Sequence, residues 1–278
     1  AVGNLTGISE IARVAREFGL GEVTGLGLPG EVAGVVPTPE YKYKTVKAYL
    51  DALFKPRLKA VQKSYAPLIS QAPDEKSRRK LERERDRKLA SIRAEYERYA
   101  WDLKWRPYDT LNTAIGQGYN LYTPVQLVNY AATIANNGVR YRPHLVKKVV
   151  GPKGELIATF EPEIAGRAKV KPETLKVIQE GMALVTKPGG TAYGAFYDLP
   201  VPVAAKTGSA EVSGKKGTHA LFVAYAPVEK PEIAVAVVVE NAGHGGSVAA
   251  PVARDILAAY FNLPLRLQEA TQKTGTGD

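Results

Sequence analysis

The stretch Val201-Pro202-Val203-Ala204-Ala205-Lys206-Thr207-Gly208-Ser209-Ala210-Glu211-Val212 has strand composition, with an amine, a hydroxyl and a glycine at its centre. Such a strand offers an anionic ligand a positive charge, a hydroxyl donor and open backbone N–H groups. Two more apolar runs follow. Thr218 to Ala226 alternates through Ala220, Phe222 and Ala224, and Glu232 to Glu240 is nearly continuous Val, Ile and Ala. The link Pro227-Val228-Glu229-Lys230-Pro231 is too short for a crossover, so this pair is antiparallel. Ser247 to Phe261 reads as a helix with Val252, Ile256 and Tyr260 on one side, covering the sheet. Residues 266–278 read as a disordered polar tail. It repeats the tripeptide as Lys273-Thr274-Gly275. No strand surrounds that copy, so it is a coincidence.

Upstream, Gly7 to Phe18 spaces Ile8, Ile11, Ala15 and Phe18 on one helical face, with Gly19 as the stop. Leu20 to Pro39 is a long structured loop, too dense in glycine for helix or strand. Residues 41–104 differ in kind. Pro56, Pro67 and Pro73 punctuate the first part, which holds a shorter helix through Leu58, Val61 and Tyr65. Asp74 caps a long charged helix whose seam runs Leu81, Leu89, Ile92, Tyr96, Tyr99 and Leu103. We read 41–104 as a charged helical insertion, a solvated arm or a docking arm. Thr123-Pro124 starts a helix to about Asn136, with Gly138 just beyond. Tyr141 to Phe160 reads as a hairpin around Gly151-Pro152-Lys153-Gly154. Pro172 to Val185 reads as a helix, and Lys187-Pro188-Gly189-Gly190-Thr191-Ala192 as a turn.

Composition narrows the chemistry. Among 278 residues there is no cysteine, which excludes disulfides, thiolate metal sites and a cysteine nucleophile. Three histidines without ligand spacing argue against zinc, and no metal or other cofactor is expected. Gly189-Gly190 lacks the strand-loop-helix setting of a phosphate loop. The net charge of +10 concentrates in the arm. Acidic residues interleave there and no aromatic stacking surface is evident, which argues against nucleic acid. No apolar run reaches the roughly 18–20 residues of a membrane span.

Several landmarks accompany Lys206-Thr207-Gly208 at fixed spacing. They are Thr24-Gly25-Leu26-Gly27-Leu28-Pro29-Gly30-Glu31 with Gly34 and Pro37-Thr38-Pro39-Glu40; Trp105, Pro107 and Asp109-Thr110; Ile115-Gly116-Gln117-Gly118; Pro188-Gly189-Gly190-Thr191-Ala192; His219 to Pro227; and Val239 to Gly243. With these the chain resembles the class B penicillin-binding proteins, and among them the elongation type. The resemblance covers about residues 1–50 and 105–265. It implies an α/β fold like that of penicillin-binding proteins and serine β-lactamases, an antiparallel sheet flanked by helices. This would be a partial domain, residues 1–40 and 105–265, interrupted by the 41–104 arm.

The implied function is a peptidoglycan D,D-transpeptidase. A serine attacks the penultimate D-Ala carbonyl of a stem peptide, and an amine from a neighbouring stem resolves the acyl-enzyme. β-Lactams acylate the same serine. The resemblance gives Lys206 a catalytic role beside a serine of the second motif, and Ser209 an oxyanion role through its backbone N–H. It gives Thr207 and Gly208 to substrate binding. The implied partners are stem peptides, β-lactams and a membrane glycosyltransferase of the shape, elongation, division and sporulation family. The implied location is the outer face of the bacterial cell membrane, through an N-terminal helix not in this chain.

The family's S-x-x-K motif and second serine motif are not found in place. Ser9 and Ser64 are followed three residues later by Ala12 and Pro67. Ser77-Arg78-Arg79-Lys80 fits the letters but lies in the arm, on the wrong side of the Gly-rich loop. The nucleophile is therefore expected outside this chain, and the chain alone is expected to be inert. Tyr108 replaces a usual glycine. Two other readings stay open: a β-lactamase or β-lactam sensor domain, and a docking module that uses the basic arm. His219 and His244 read as structural, beside the strand and in a glycine turn.

Overall fold

The computed structural model describes residues 2–212 and 217–266. They fall into two compact units, one of residues 2–4 with 37–111 and one of residues 5–36 with the described residues from 112 on.

The second unit is built on three antiparallel strands, β5 (Ala204–Glu211), β6 (Thr218–Ala226) and β7 (Ile233–Val239), in the order β5-β6-β7. Side chains alternate between its faces. On one face Ala205, Phe222, Ala224, Val235 and Val237 pack with Ala250, Ala253, Leu257 and Ala258 of α8 (Ala250–Tyr260). On the other, Ala204 and Tyr225 meet Ile134 and Ala135 of α5 (Pro124–Ala135), Leu175 and Met182 of α6 (Pro172–Leu184), and Phe18. The small side chains let α8 approach closely. The antiparallel sheet flanked by helices is the α/β architecture expected from the sequence.

Helix ends follow local chemistry. Beyond α1 (Val2–Glu17), Gly19 takes φ +84°, Gly19 N–H donates to Arg16 O, and Leu20 N–H donates to Ala15 O. That is the two-bond closure that a left-handed residue permits. The same closure ends α5, where Asn137 rather than glycine holds the left-handed turn and Gly138 N–H reaches Thr133 O. The expected helix start at Gly7 is a break inside α1, with φ 76° and ψ 156° at that residue.

The Gly-rich loop contains no regular element apart from a bridge between Val35 and Leu121. Gln126 organises it. This side chain is 1% exposed. Its amide donates to Glu22 O and Ala33 O, both at 2.7 Å, while its carbonyl caps Thr123 N–H.

The expected hairpin over 141–160 is narrower. Strand β2 (Lys148–Val150) pairs with β3 (Leu156–Thr159). Tyr141 belongs instead to β1 (Val139–Tyr141), which pairs with β4 (Ile164–Arg167). Residues 213–216 and all of the predicted tail except Arg266 lie outside the described residues.

In the first unit, α2 (Pro39–Ser70) and α3 (Glu75–Ala100) form a helical hairpin. The prolines do not divide α2 as the sequence reading expected. Pro56 and Pro67 lie inside it. Each removes one helical hydrogen bond, and packing against α3 offsets that loss. Phe54, 1% exposed, meets Tyr96 edge-on at 5.6 Å and Tyr99 at 6.1 Å. At the base, Lys42 is 2% exposed, with Nζ 2.6 Å from Asp102 and 2.9 Å from Asp109. α4 (Pro107–Ala114) starts there, where Asp109 also accepts from Arg106 N–H at 2.7 Å.

Candidate functional site

Strand β5 is an edge, pairing only with β6 among the described residues. Its approach is fixed by Thr186, whose hydroxyl donates to Val203 O at 2.7 Å. In an antiparallel ladder a residue turns both backbone groups toward its partner or both away. Gln117 Nε2 donates to Ser209 O at 3.4 Å, so the Ser209 carbonyl faces the open edge. The Ser209 N–H faces the same way. Thr207 O also lies off the ladder, taking the Lys206 ammonium at 2.5 Å. The open edge therefore presents alternate backbone groups, as strand-adding ligands require.

Side chains of the tripeptide divide between the sheet faces. Thr207 and Ser209 enter a cavity of about 620 Å³ whose other walls include Thr191, His244, Ser247 and Arg266. Lys206 and Gly208 border a second, more apolar cavity of about 270 Å³, with Tyr122, Leu127, Tyr130 and Gly116. Burial pushes the Tyr122 hydroxyl up to about 12 and raises that of Tyr130, so both phenols stay neutral at physiological pH. Lys206 is the cation of that cavity.

The first cavity is rich in hydroxyls. Thr207 Oγ1 lies 2.9 Å from Thr191 Oγ1. Ser209 Oγ lies 3.4 Å from His244 Nδ1 and accepts from Gly245 N–H at 3.4 Å. Arg266 is anchored on Asp198 and donates to Gly194 O and Ala195 O. Hydroxyls, an edge-strand N–H and a lysine together suit an anionic ligand with a carbonyl to be polarised.

The structure thus brings Lys206, Thr207, Gly208 and Ser209 together on one edge, and adds Thr191, Gln117 and His244, to which the sequence reading gave no chemical role. Within the Ile115-Gly116-Gln117-Gly118 landmark it is the Gln117 side chain that reaches the strand. His244, read as part of a turn, faces Ser209. His219 is different, since its Nδ1 accepts Asn241 N–H at 3.0 Å, which fixes the β6–β7 ends. The formal S-x-x-K serine in the arm serves a helix start: Asp74 is the N-cap of α3, and its carboxylate accepts from both Ser77 N–H and Ser77 Oγ.

A family model described as the penicillin binding protein transpeptidase domain matches residues 2–258. Peptidoglycan D,D-transpeptidase MrdA of Haemophilus influenzae is 28% identical over 273 residues, 92% of this chain and 33% of that protein. Peptidoglycan D,D-transpeptidase PbpA of Mycolicibacterium smegmatis is 39% identical over 158 residues, 53% of this chain and 31% of that protein. The chain spans about a third of the length of these relatives. Among solved structures, PBP2 of Pseudomonas aeruginosa superposes with a TM-score of 0.63 at 28% identity, covering 93% of this chain and 43% of that one. PBP2 of Helicobacter pylori, in complex with MreC, gives 0.59 at 26% identity, covering 90% and 36%.

Proposed function

Because the chain belongs to the penicillin-binding protein transpeptidase domain family, we propose that it supplies the substrate-holding wall of a peptidoglycan D,D-transpeptidase. The observation that carries this reading is the open edge of β5, where the Ser209 N–H faces outward beside the Thr207 hydroxyl. A stem peptide adds to that edge as an extra strand. The Thr207 hydroxyl holds its terminal carboxylate. The Ser209 N–H stabilises the oxyanion formed when a serine attacks the penultimate carbonyl, a donor worth about 3–4 kcal/mol of barrier. Lys206 supplies positive charge and a hydrogen bond to the serine of the second motif. Gly208 keeps the strand open to close approach. The attacking serine is assigned to residues outside this sequence, so the chain alone does not acylate.

β-Lactams enter as mimics of the same peptide. A membrane glycosyltransferase of the shape, elongation, division and sporulation family is the proposed protein partner. The proposed location is the outer face of the bacterial cell membrane, through an N-terminal helix outside this sequence. No helix among the described residues is long and apolar enough to cross a membrane.

The test uses the full-length protein and a fluorescent penicillin. Labelling is expected, is expected to vanish when an upstream S-x-x-K serine is replaced, and to fall sharply in Thr207→Val with the melting temperature unchanged. Covalent labelling of residues 1–278 alone would overturn the assignment of the nucleophile.

A further inference from the structure

Both hydroxyls on the cavity side of β5 are met from other segments, the turn before Tyr193 and the start of the π-helical turn Gly245–Ala249. Thr207 meets Thr191, and Ser209 meets His244 and the Gly245 N–H. Glycines set how close those loops come. A Cβ on Gly246 would stand 2.4 Å from Thr191 O. One on Gly245 would stand 2.4 Å from Gly208 O and 2.3 Å from Leu221 O. One on Gly190 would stand 2.3 Å from both Leu184 O and Val185 O. No other residue type fits at such distances, so the turn before α7 (Tyr193–Phe196) and the π-helical turn Gly245–Ala249 are both seated tightly. Thr191 belongs to the first, and its carbonyl is the atom that Gly246 of the second approaches.

The 2.9 Å contact joins two hydroxyls, and each has a single proton. A carboxylate bound at Thr207 accepts hydrogen bonds and donates none. Thr207 must therefore give its proton to the ligand. Its oxygen is then an acceptor, and Thr191 is the donor that faces it. The chain runs from Thr191 to Thr207 to the anion, and each bond polarises the next. Without the Thr191 hydroxyl, the Thr207 proton can turn to nearby backbone acceptors, as threonine hydroxyls commonly do.

We propose that Thr191 is a positioning residue that orients the Thr207 hydroxyl as donor to a carboxylate. This rests on the transpeptidase reading, which supplies the carboxylate, and it adds a residue to which that reading gives no role. The experiment compares wild-type full-length protein with Thr191→Val and Thr191→Ser. Two probes are used: a fluorescent penicillin with a free carboxylate, and its methyl ester. Thr191→Val is expected to lower the acylation rate constant for the carboxylate probe about tenfold, the weight of one hydrogen bond to a charged group. The ester rate should stay at its wild-type value, and Thr191→Ser should restore most of the carboxylate rate. Melting temperatures are recorded for all three proteins. The proposal is overturned if Thr191→Val labels as fast as wild type with the carboxylate probe. It is also overturned if both probes slow equally, which marks a structural role. A wild type that neither probe labels refutes the transpeptidase reading and this proposal with it. That result differs visibly from a labelled wild type matched by Thr191→Val.

Discussion

In the sheet unit the buried positions are mostly alanine, valine and phenylalanine, and the close approaches occur at glycine. In the arm the contacts between α2 and α3 are aromatic, cationic and ionic: Phe54 against Tyr96, Lys88 over Tyr65, and Arg57 with Glu95, while Arg57 also covers the Phe54 ring of its own helix. The charge follows the same division. The unit of residues 1–4 and 37–111 holds nineteen Lys and Arg against eleven Asp and Glu, a net +8 of the chain's +10. Small residues leave little room for adjustment, so the sheet unit holds its hydroxyls and backbone groups closely. Long side chains on a two-helix hairpin tolerate substitution. The proposed binding edge, with Thr207 and Ser209, lies in the unit that has the first kind of order.

The largest effect that tests this contrast comes from removing a phenylalanine on each side. Phe222 is 1% exposed and stacks on Phe196 at 5.5 Å and 14°. Phe222→Ala should cost about 3–5 kcal/mol in denaturant melts. It should raise amide exchange through β5 to β7, since Phe222 pairs with Thr207 across the ladder. Phe54→Ala deletes the same group from the arm and should raise exchange in α2 and α3 alone. If Phe54→Ala also opens β5 to β7, the two regions are one cooperative block and the contrast fails.

What the sequence makes legible differs by region, and so do the reasons. The alternation from Ala204 to Glu211 predicts that Thr207 and Ser209 share a face, because strand periodicity is strictly two. Helix caps at Asp74 and Thr123 are visible because capping is local, within three residues. The partners of β5 are another matter. Gln117 is 92 residues from Ser209, and His244 is 35 residues away. Nothing local marks an amide or an imidazole that acts through a long-range contact. The prolines of α2 misled for the opposite reason: a local rule gave way to packing that the local text does not show.

A second, smaller effect concerns the base of the arm. Burial works against the Lys42 ammonium, but the hydrogen bonds and charges of Asp102 and Asp109 outweigh it and hold its pKa above the usual lysine value. Lys42→Met leaves Asp109, whose side chain is 11% exposed, without its ammonium. The expected loss is about 2–3 kcal/mol, below the full cost of a broken buried pair because Asp102 is half-exposed. The pH dependence has a definite sign. A raised folded pKa gives stability that is fully present below the unfolded lysine value of 10.5 and is lost as pH climbs through the folded value. Wild-type arm stability should therefore hold through neutral pH and decline above about 10.5. Lys42→Met should remove that alkaline step, and an unchanged step in the variant would assign it to other groups.

The smallest effect tests whether the arm's visible ion pairs matter at all. Arg57 and Glu95 approach to 2.6 Å, but their side chains are 41% and 30% exposed. An exposed pair of this kind contributes little, since water screens the attraction and ordering two long side chains opposes it. The Arg57 guanidinium also lies 5.0 Å from the centre of the Phe54 ring. A charge-only account and a packing account therefore predict different variants. Glu95→Gln removes the ion pair and leaves the ring contact, so it should change the melting midpoint by little and by less at high salt. Arg57→Ala removes both and should lower the melting midpoint further than Glu95→Gln does. Equal losses in the two variants would make the salt bridge the active contact and place the arm's order in its charges rather than in its aromatic seam.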